Sequence, residues 1–161
     1  NNVAVVVGGG APLDGGRTVG GTRLLGDGKT WRGTVGGIAA GALLASGLNL
    51  VAVPAGSAIG VRLPTFPSAA MVSLPAGAMA GDIAGSFIKR RTGRRRGAPF
   101  PVLDQLDFVV GALGVTGLVV TGWFLSTFTV PVVTAIVLLT PLLHIGTNVV
   151  GYLLGLKDEP W

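Results

Sequence analysis

The sequence predicts an all-α integral membrane protein, a compact glycine-rich bundle of transmembrane helices with its charged loops on the cytoplasmic side. Three observations lead there. Of 161 residues, 49% are hydrophobic and only 12% charged, about half the charged share of an ordinary soluble domain. The apolar residues gather in uncharged stretches long enough to cross a hydrocarbon core of about 30 Å as helices. The 28 glycines follow no Gly-X-Y repeat, so collagen-like and disordered readings fail and packing or turns remain. With no cysteine, disulfides, zinc-thiolate sites and a cysteine nucleophile are excluded. The net charge of +5 suits anionic headgroups beside apolar spans better than nucleic acid, which is not expected as a partner.

The chain reads as one membrane-embedded domain over residues 1–161. Its opening run NNVAVVVGGG carries no basic segment and too short an apolar stretch for a signal peptide. Residues 1–32 form a first cytoplasmic loop containing GGGAPLDGG and LLGDGKTWRG. The Gly-Lys-Thr triplet in the latter looks like the end of a P-loop, but that pattern needs a glycine where Arg23 stands, and a buried strand before it. Asp27, Lys29 and Arg32 instead stand together at the mouth of an uncharged stretch.

The first span covers about 33–53, and a second, about 66–88, is interrupted by Asp82 alone. A second charged loop, 89–107, follows; two further spans, about 108–128 and 131–156, divide at STFTVP. Threading these alternately puts eleven of the twelve Lys and Arg residues on one side and leaves Arg62 on the other, so the basic side is expected to be cytoplasmic. Glycines at 33, 37 and 41, and at 77, 81 and 85, each line one helical face and permit close backbone approach.

Asp82, Ser86 and Lys89 are four and three residues apart and share a helical face. At about 1.5 Å per residue, Asp82 lies roughly 10 Å below Lys89 along the helix, a costly depth for a charge unless something pairs with it. Either Lys89 or an arginine from another loop could do so structurally; ionisable residues inside spans are otherwise functional by default. Asp104 and Asp107, three apart, fit either a Mg2+ site beside phosphates or a helix cap with its partner against the macrodipole. Lys89 and Arg90 adjoin the acidic face and are candidates for touching substrate phosphates. Arg94-Arg95-Arg96 reads as a topology anchor or lipid-surface patch, and His144, one turn from Asn148, as hydrogen-bonded to it or across helices rather than as a metal ligand.

The phrase GDIAGSFIKRRTGRRRGAPFPVLDQLDF resembles the signature of the CTP-dependent phosphatidate cytidylyltransferases: an aspartate, Ser-x-x-Lys-Arg, a basic loop, then Asp-x-x-Asp. With GGGAPLDGG and LLGDGKTWRG, it is most similar to the archaeal branch of that family, the CDP-archaeol synthases. FPVL before Asp104, where the bacterial signature has a histidine and two glycines, points the same way. The resemblance spans Gly8 to about Gly111. It implies transfer of CMP from CTP to an unsaturated, ether-linked isoprenoid glycerol phosphate with Mg2+ present, releasing pyrophosphate. It implies Asp82, Asp104 and Asp107 as metal-associated catalytic acids beside Lys89, and Ser86, Lys89 and Arg90 as phosphate binders. Lys29, Thr30 and Arg32 match its Lys-Thr-x-Arg-Gly segment, with Asp27 in the same stretch as a further substrate-binding residue. It also implies another membrane helix ahead of Asn1. A small transporter or channel with a buried acidic site is the rival class.

Overall fold

A computed structural model describes residues 7, 9–26, 28–93 and 103–155. Asp27 and the run Arg94-Arg95-Arg96 lie outside the described residues, as does the side chain of His144. The chain is mostly helical. Two minimal strands, β1 (Thr18–Val19) and β2 (Thr22–Arg23), pair antiparallel in the first loop. They are joined by Gly20 and Gly21, whose φ of 61° and 76° suit a tight hairpin turn of the kind side chains resist. Then come α1 (Trp31–Ile59), α2 (Ser68–Arg91), α3 (Leu103–Val119), the short α4 (Thr121–Thr127) and α5 (Val130–Leu153). Three of these, α1, α2 and α5, are long and apolar enough to cross a membrane.

Helix α1 starts where Thr30 Oγ1 accepts from the Gly33 amide at 3.1 Å, satisfying one of the orphan donors of the first turn. It runs past the expected end at Val53 and through Pro54 to Gly60, whose φ of 70° closes it. At 29 residues and about 1.5 Å per residue it is roughly 43 Å long, more than a hydrocarbon core requires. Helix α2 ends in Lys89, Arg90 and Arg91, cations placed where the helix dipole favours them.

The span expected at 108–128 is not one helix. Helix α3 begins five residues earlier, at Leu103, and stops at Val119; Val120 (φ −132°, ψ 52°) turns the chain into α4. The cause is aromatic. Gly117 leaves room for the Phe124 ring, 3.5 Å from where a Cβ would sit, while Thr121 Oγ1 donates to the Gly117 carbonyl at 2.7 Å. Trp123 packs at 5.8 Å from Phe66 and 5.6 Å from Phe128. Its indole N–H donates to Thr65 O at 3.0 Å, which pins α4 over the α1–α2 loop, at the other end of α2 from Lys89, Arg90 and Arg91. Pro131 then opens α5, in keeping with proline's preference for a helix start.

Helices α2 and α3 make the closest contact. A Cβ at Gly77 would overlap the Gly111 carbonyl, one at Gly81 the Asp107 carbonyl, and one at Gly85 the Asp107 carboxylate. The period-four glycine face therefore works as a helix–helix seam. Farther along, Ser73 Oγ donates to Thr116 Oγ1 at 3.1 Å with both residues buried. On α1, Gly33 and Gly37 are buried, and Gly41 receives the Pro75 ring of α2. The described core is small: Ala45, Ala52, Ala70, Met79 and Val109. Leu43, Leu50, Leu118, Leu138 and many other large apolar residues face outward, as a bilayer solvent allows.

Gly81→Ala should separate α2 from α3 and cost about 1–3 kcal/mol, the usual range for overfilling a packed contact. Gly47→Ala, with open space around its Cβ position, should be neutral or slightly stabilising. Thermal unfolding in detergent compares them. Equal melting temperatures for the two variants would contradict the seam.

Candidate functional site

Residues 9–26 and 28–30 form a strap around one end of α2, held mainly by Asp14. Its side chain is only 1% exposed and meets Arg23 at 2.7 Å. Oδ1 also accepts from the Gly16 amide at 3.0 Å, and Oδ2 accepts from Arg23 Nε at 3.3 Å and from the amides of Leu25 and Gly26 at 3.1 and 3.3 Å. A buried carboxylate is tolerable only when so fully partnered. The Arg23 guanidinium, with those three amides, holds the Asp14 carboxyl well below the usual carboxylate range against the opposing pull of burial. Because the folded value is depressed, this contribution to loop stability is present above the ordinary carboxylate range and lost as pH falls below it.

The strap closes on itself where the Leu13 amide donates to Lys29 O at 2.8 Å and the Trp31 amide to Ala11 O at 3.2 Å. Arg91 ties it to α2, donating to the carbonyls of Val19, Thr22 and Arg23 at 3.1, 3.2 and 3.0 Å. The same guanidinium lies 5.6 Å from the centroid of the Phe87 ring. Gly26 passes over the Arg90 guanidinium, whose Nε is 3.5 Å from where a Cβ would be. Between the strap and Phe87 of α2, Leu13, Arg17, Leu24 and Leu25 help line a cavity of about 450 Å³.

Past Gly26 the chain reaches Asp82 of α2. Lys29 Nζ there pairs with the Asp82 carboxylate, 53 positions away in sequence. Lys89 pairs with Asp104 of α3. Both pairs are about three-quarters buried on each side chain. Asp107 sits over Gly85, one turn beyond Asp104, and its Oδ1 accepts from the Phe108 amide at 2.6 Å. Asp82, Asp104 and Lys29 all lie within electrostatic range of Asp107. The site thus draws on three segments: the strap, the end of α2 and the start of α3.

Lys29, Asp82, Lys89, Asp104 and Asp107 come together around the end of α2 and the start of α3. Ser86 is half-buried on α2 between Asp82 and Lys89, Arg90 is half-buried under the strap, and Arg32 is exposed in the first turn of α1. Thr30 is 4% exposed, and its hydroxyl caps the first turn of α1. Asp82 pairs with Lys29 from the strap rather than with Lys89 from its own helix. The three acids do not form a ready metal cage: among the described residues, no group of three acidic or histidine side chains stands in that arrangement. Two of them are engaged by lysines instead. Asp14, Arg23 and Arg91 were not singled out from the sequence. For Asp14 the signal was available, a lone acid amid the glycines of GGGAPLDGG; Arg91 is hidden in a basic run.

The model of the CarS-like CDP-archaeol synthase family matches residues 1–161. The chain belongs to the CDP-archaeol synthase family. A CDP-archaeol synthase of Halobacterium salinarum is 62% identical over 161 residues, covering 100% of this chain and 89% of that one. One of Methanosarcina acetivorans is 46% identical over 168 residues, covering 100% of this chain and 96% of that relative. A solved structure, described as an intramembrane enzyme for archaeal membrane lipids biosynthesis, superposes with a TM-score of 0.71 at 40% identity, covering 91% of this chain and 84% of the other. As a CDP-archaeol synthase family member the chain is a CTP-dependent cytidylyltransferase acting on an archaeol phosphate, which sets aside the transporter alternative.

Arg91→Gln removes that residue's hydrogen bonds to the strap carbonyls without touching the glycine seam. Trypsin cleavage after Arg17 and Arg23, followed by mass spectrometry in detergent, should accelerate several-fold while the melting temperature holds. An unchanged cleavage rate would show that the strap does not depend on Arg91.

Proposed function

We propose that this chain transfers the CMP moiety of CTP to 2,3-bis-geranylgeranyl-glycerol 1-phosphate, with Mg2+ as cofactor, and that its site opens to the cytoplasm of the cell membrane. The observation that carries the reading is the convergence of Lys29, Asp82, Lys89, Asp104 and Asp107 at the bundle end where the strap lies. Arg17, Arg23, Arg32, Arg90 and Arg91 belong to the strap and helix ends there, whereas Arg62 stands in the α1–α2 loop remote from them. The positive-inside bias then favours the cytoplasm for the site, where CTP enters from water.

An oxygen of the lipid phosphate attacks the α-phosphorus of CTP; the new P–O bond forms as the bond to pyrophosphate breaks and pyrophosphate leaves. The phosphate is already ionised at neutral pH, so no activated serine, cysteine or histidine is required. The protein's task is electrostatic, since two anions must meet and a third must depart. Lys29 and Lys89 start out bound to carboxylates and are positioned to exchange those partners for phosphate oxygens. Arg32, exposed at the start of α1, can grip phosphate with two parallel hydrogen bonds. Ser86 and Arg90 complete the phosphate-facing set, and Thr30 acts by fixing the first turn that carries Arg32.

Asp82, Asp104 and Asp107 offer hard oxygen donors of the type Mg2+ prefers. The lack of a three-acid cage fits an ion that commonly uses one or two carboxylates and completes its shell with substrate phosphates. When bound with CTP, Mg2+ would neutralise charge on the phosphates.

Radiolabelled CTP should enter the lipid phase when the ether-linked isoprenoid glycerol phosphate is supplied, should stop doing so in EDTA, and should resume with Mg2+. Conversion that persists in chelator would remove the metal from the account. Arg32→Lys should lower kcat/KM about 10-fold, or about 1.4 kcal/mol of transition-state binding, with insertion unaffected. A silent Arg32→Lys would make that residue a headgroup anchor.

A further inference from the structure

We infer that Asp14 is a positioning residue for the transfer reaction, acting through Lys29: it fixes the strap so that the ammonium is delivered to Asp82. This rests on the reading of Lys29 as a phosphate-binding residue and adds the part of the structure that holds it in place.

The strap is rich in glycine, with Gly9, Gly10, Gly15, Gly16, Gly20, Gly21 and Gly26 all at positive φ. Such a segment loses much backbone entropy when ordered, and its longest regular element is a hairpin of two-residue strands. Order comes from elsewhere. Asp14 accepts from the amide at Gly16, on its own side of the hairpin, and from those at Leu25 and Gly26, on the returning side. It also holds Arg23, the last residue of β2. One carboxylate thus joins the outgoing and returning limbs, and the returning limb reaches Lys29 three residues after Gly26. The other closure, Leu13 amide to Lys29 O at 2.8 Å, joins Asp14's immediate neighbour to Lys29 itself. A lysine side chain is a flexible stem, so its reach to Asp82 requires a fixed backbone at its base.

A merely structural Asp14 would support the fold regardless of what Lys29 does, whereas a positioning Asp14 matters only while Lys29 is present. A double-mutant cycle separates these. Asp14→Asn keeps the shape but loses the charged acceptor. In the full chain it should lower kcat/KM for CTP by 10-fold or more, chiefly through KM. In a Lys29→Ala background it should cost less than two-fold. Where Lys29→Ala leaves no measurable turnover, the same cycle is read as CTP affinity by equilibrium dialysis. Should Asp14→Asn fail to fold, Arg23→Lys, which keeps the charge but loses the two-point grip, should show about a five-fold loss with the same background dependence. Equal losses in both backgrounds, or a harmless Asp14→Asn, would overturn the inference and leave the site reading intact. A harmless Lys29→Ala would instead overturn the site reading on which it rests.

Discussion

The whole site depends on how closely α2 can approach α3. That distance is set by Gly77, Gly81 and Gly85 on one helix and Gly111 on the other, where added side chains would overlap backbone carbonyls or the Asp107 carboxylate. In a bilayer, apolar side chains gain little by leaving lipid for protein, so helix association depends on close van der Waals contact and interhelical hydrogen bonds. The Ser73 to Thr116 bond belongs to the same seam. Gly85 is where packing becomes chemistry: its missing side chain is the space in which Asp107 sits, beside the helix that carries Asp82 and Lys89.

Charge is then distributed around that seam in pairs. Lys29 meets Asp82 and Lys89 meets Asp104, which lowers the cost of keeping four ionised groups near a low-dielectric region. These pairs are also well suited to exchange. In the proposed reaction, phosphate oxygens would take the place of the carboxylates on the lysines and a cation that of the lysines on the acids, each exchange replacing one partner with another of like charge. The strap makes the first pair possible, since it carries Lys29 around the end of α2 on a loop whose order comes from Asp14 and Arg91 rather than from regular secondary structure.

Much of this was legible in the sequence because it is local or periodic. Uncharged stretches located the long helices, the four-residue spacing of 77, 81 and 85 announced a packing face, and Asp82, Ser86 and Lys89 shared a side by helical arithmetic. The bend at Val120 was not legible. It depends on Trp123, Phe124 and Phe128 folding back toward Phe66, a contact between residues more than fifty positions apart that apolar composition cannot distinguish from one continuous span. The Lys29 to Asp82 pair was hidden for the same reason, and helix-face arithmetic offered Lys89 in its place. Thr30 matched a motif whose match alone could not separate a phosphate binder from an N-cap.

The central claim is that backbone spacing at the glycine seam sets the geometry of the acidic site, and Gly85 tests it most directly because replacing it changes no charged group. Electron paramagnetic resonance of Mn2+, standing in for Mg2+, can be titrated against the protein with CTP present. The account predicts that Gly85→Ala displaces Asp107 and weakens Mn2+ binding at least 10-fold while the chain remains folded. Unchanged Mn2+ affinity in a folded Gly85→Ala protein would contradict it.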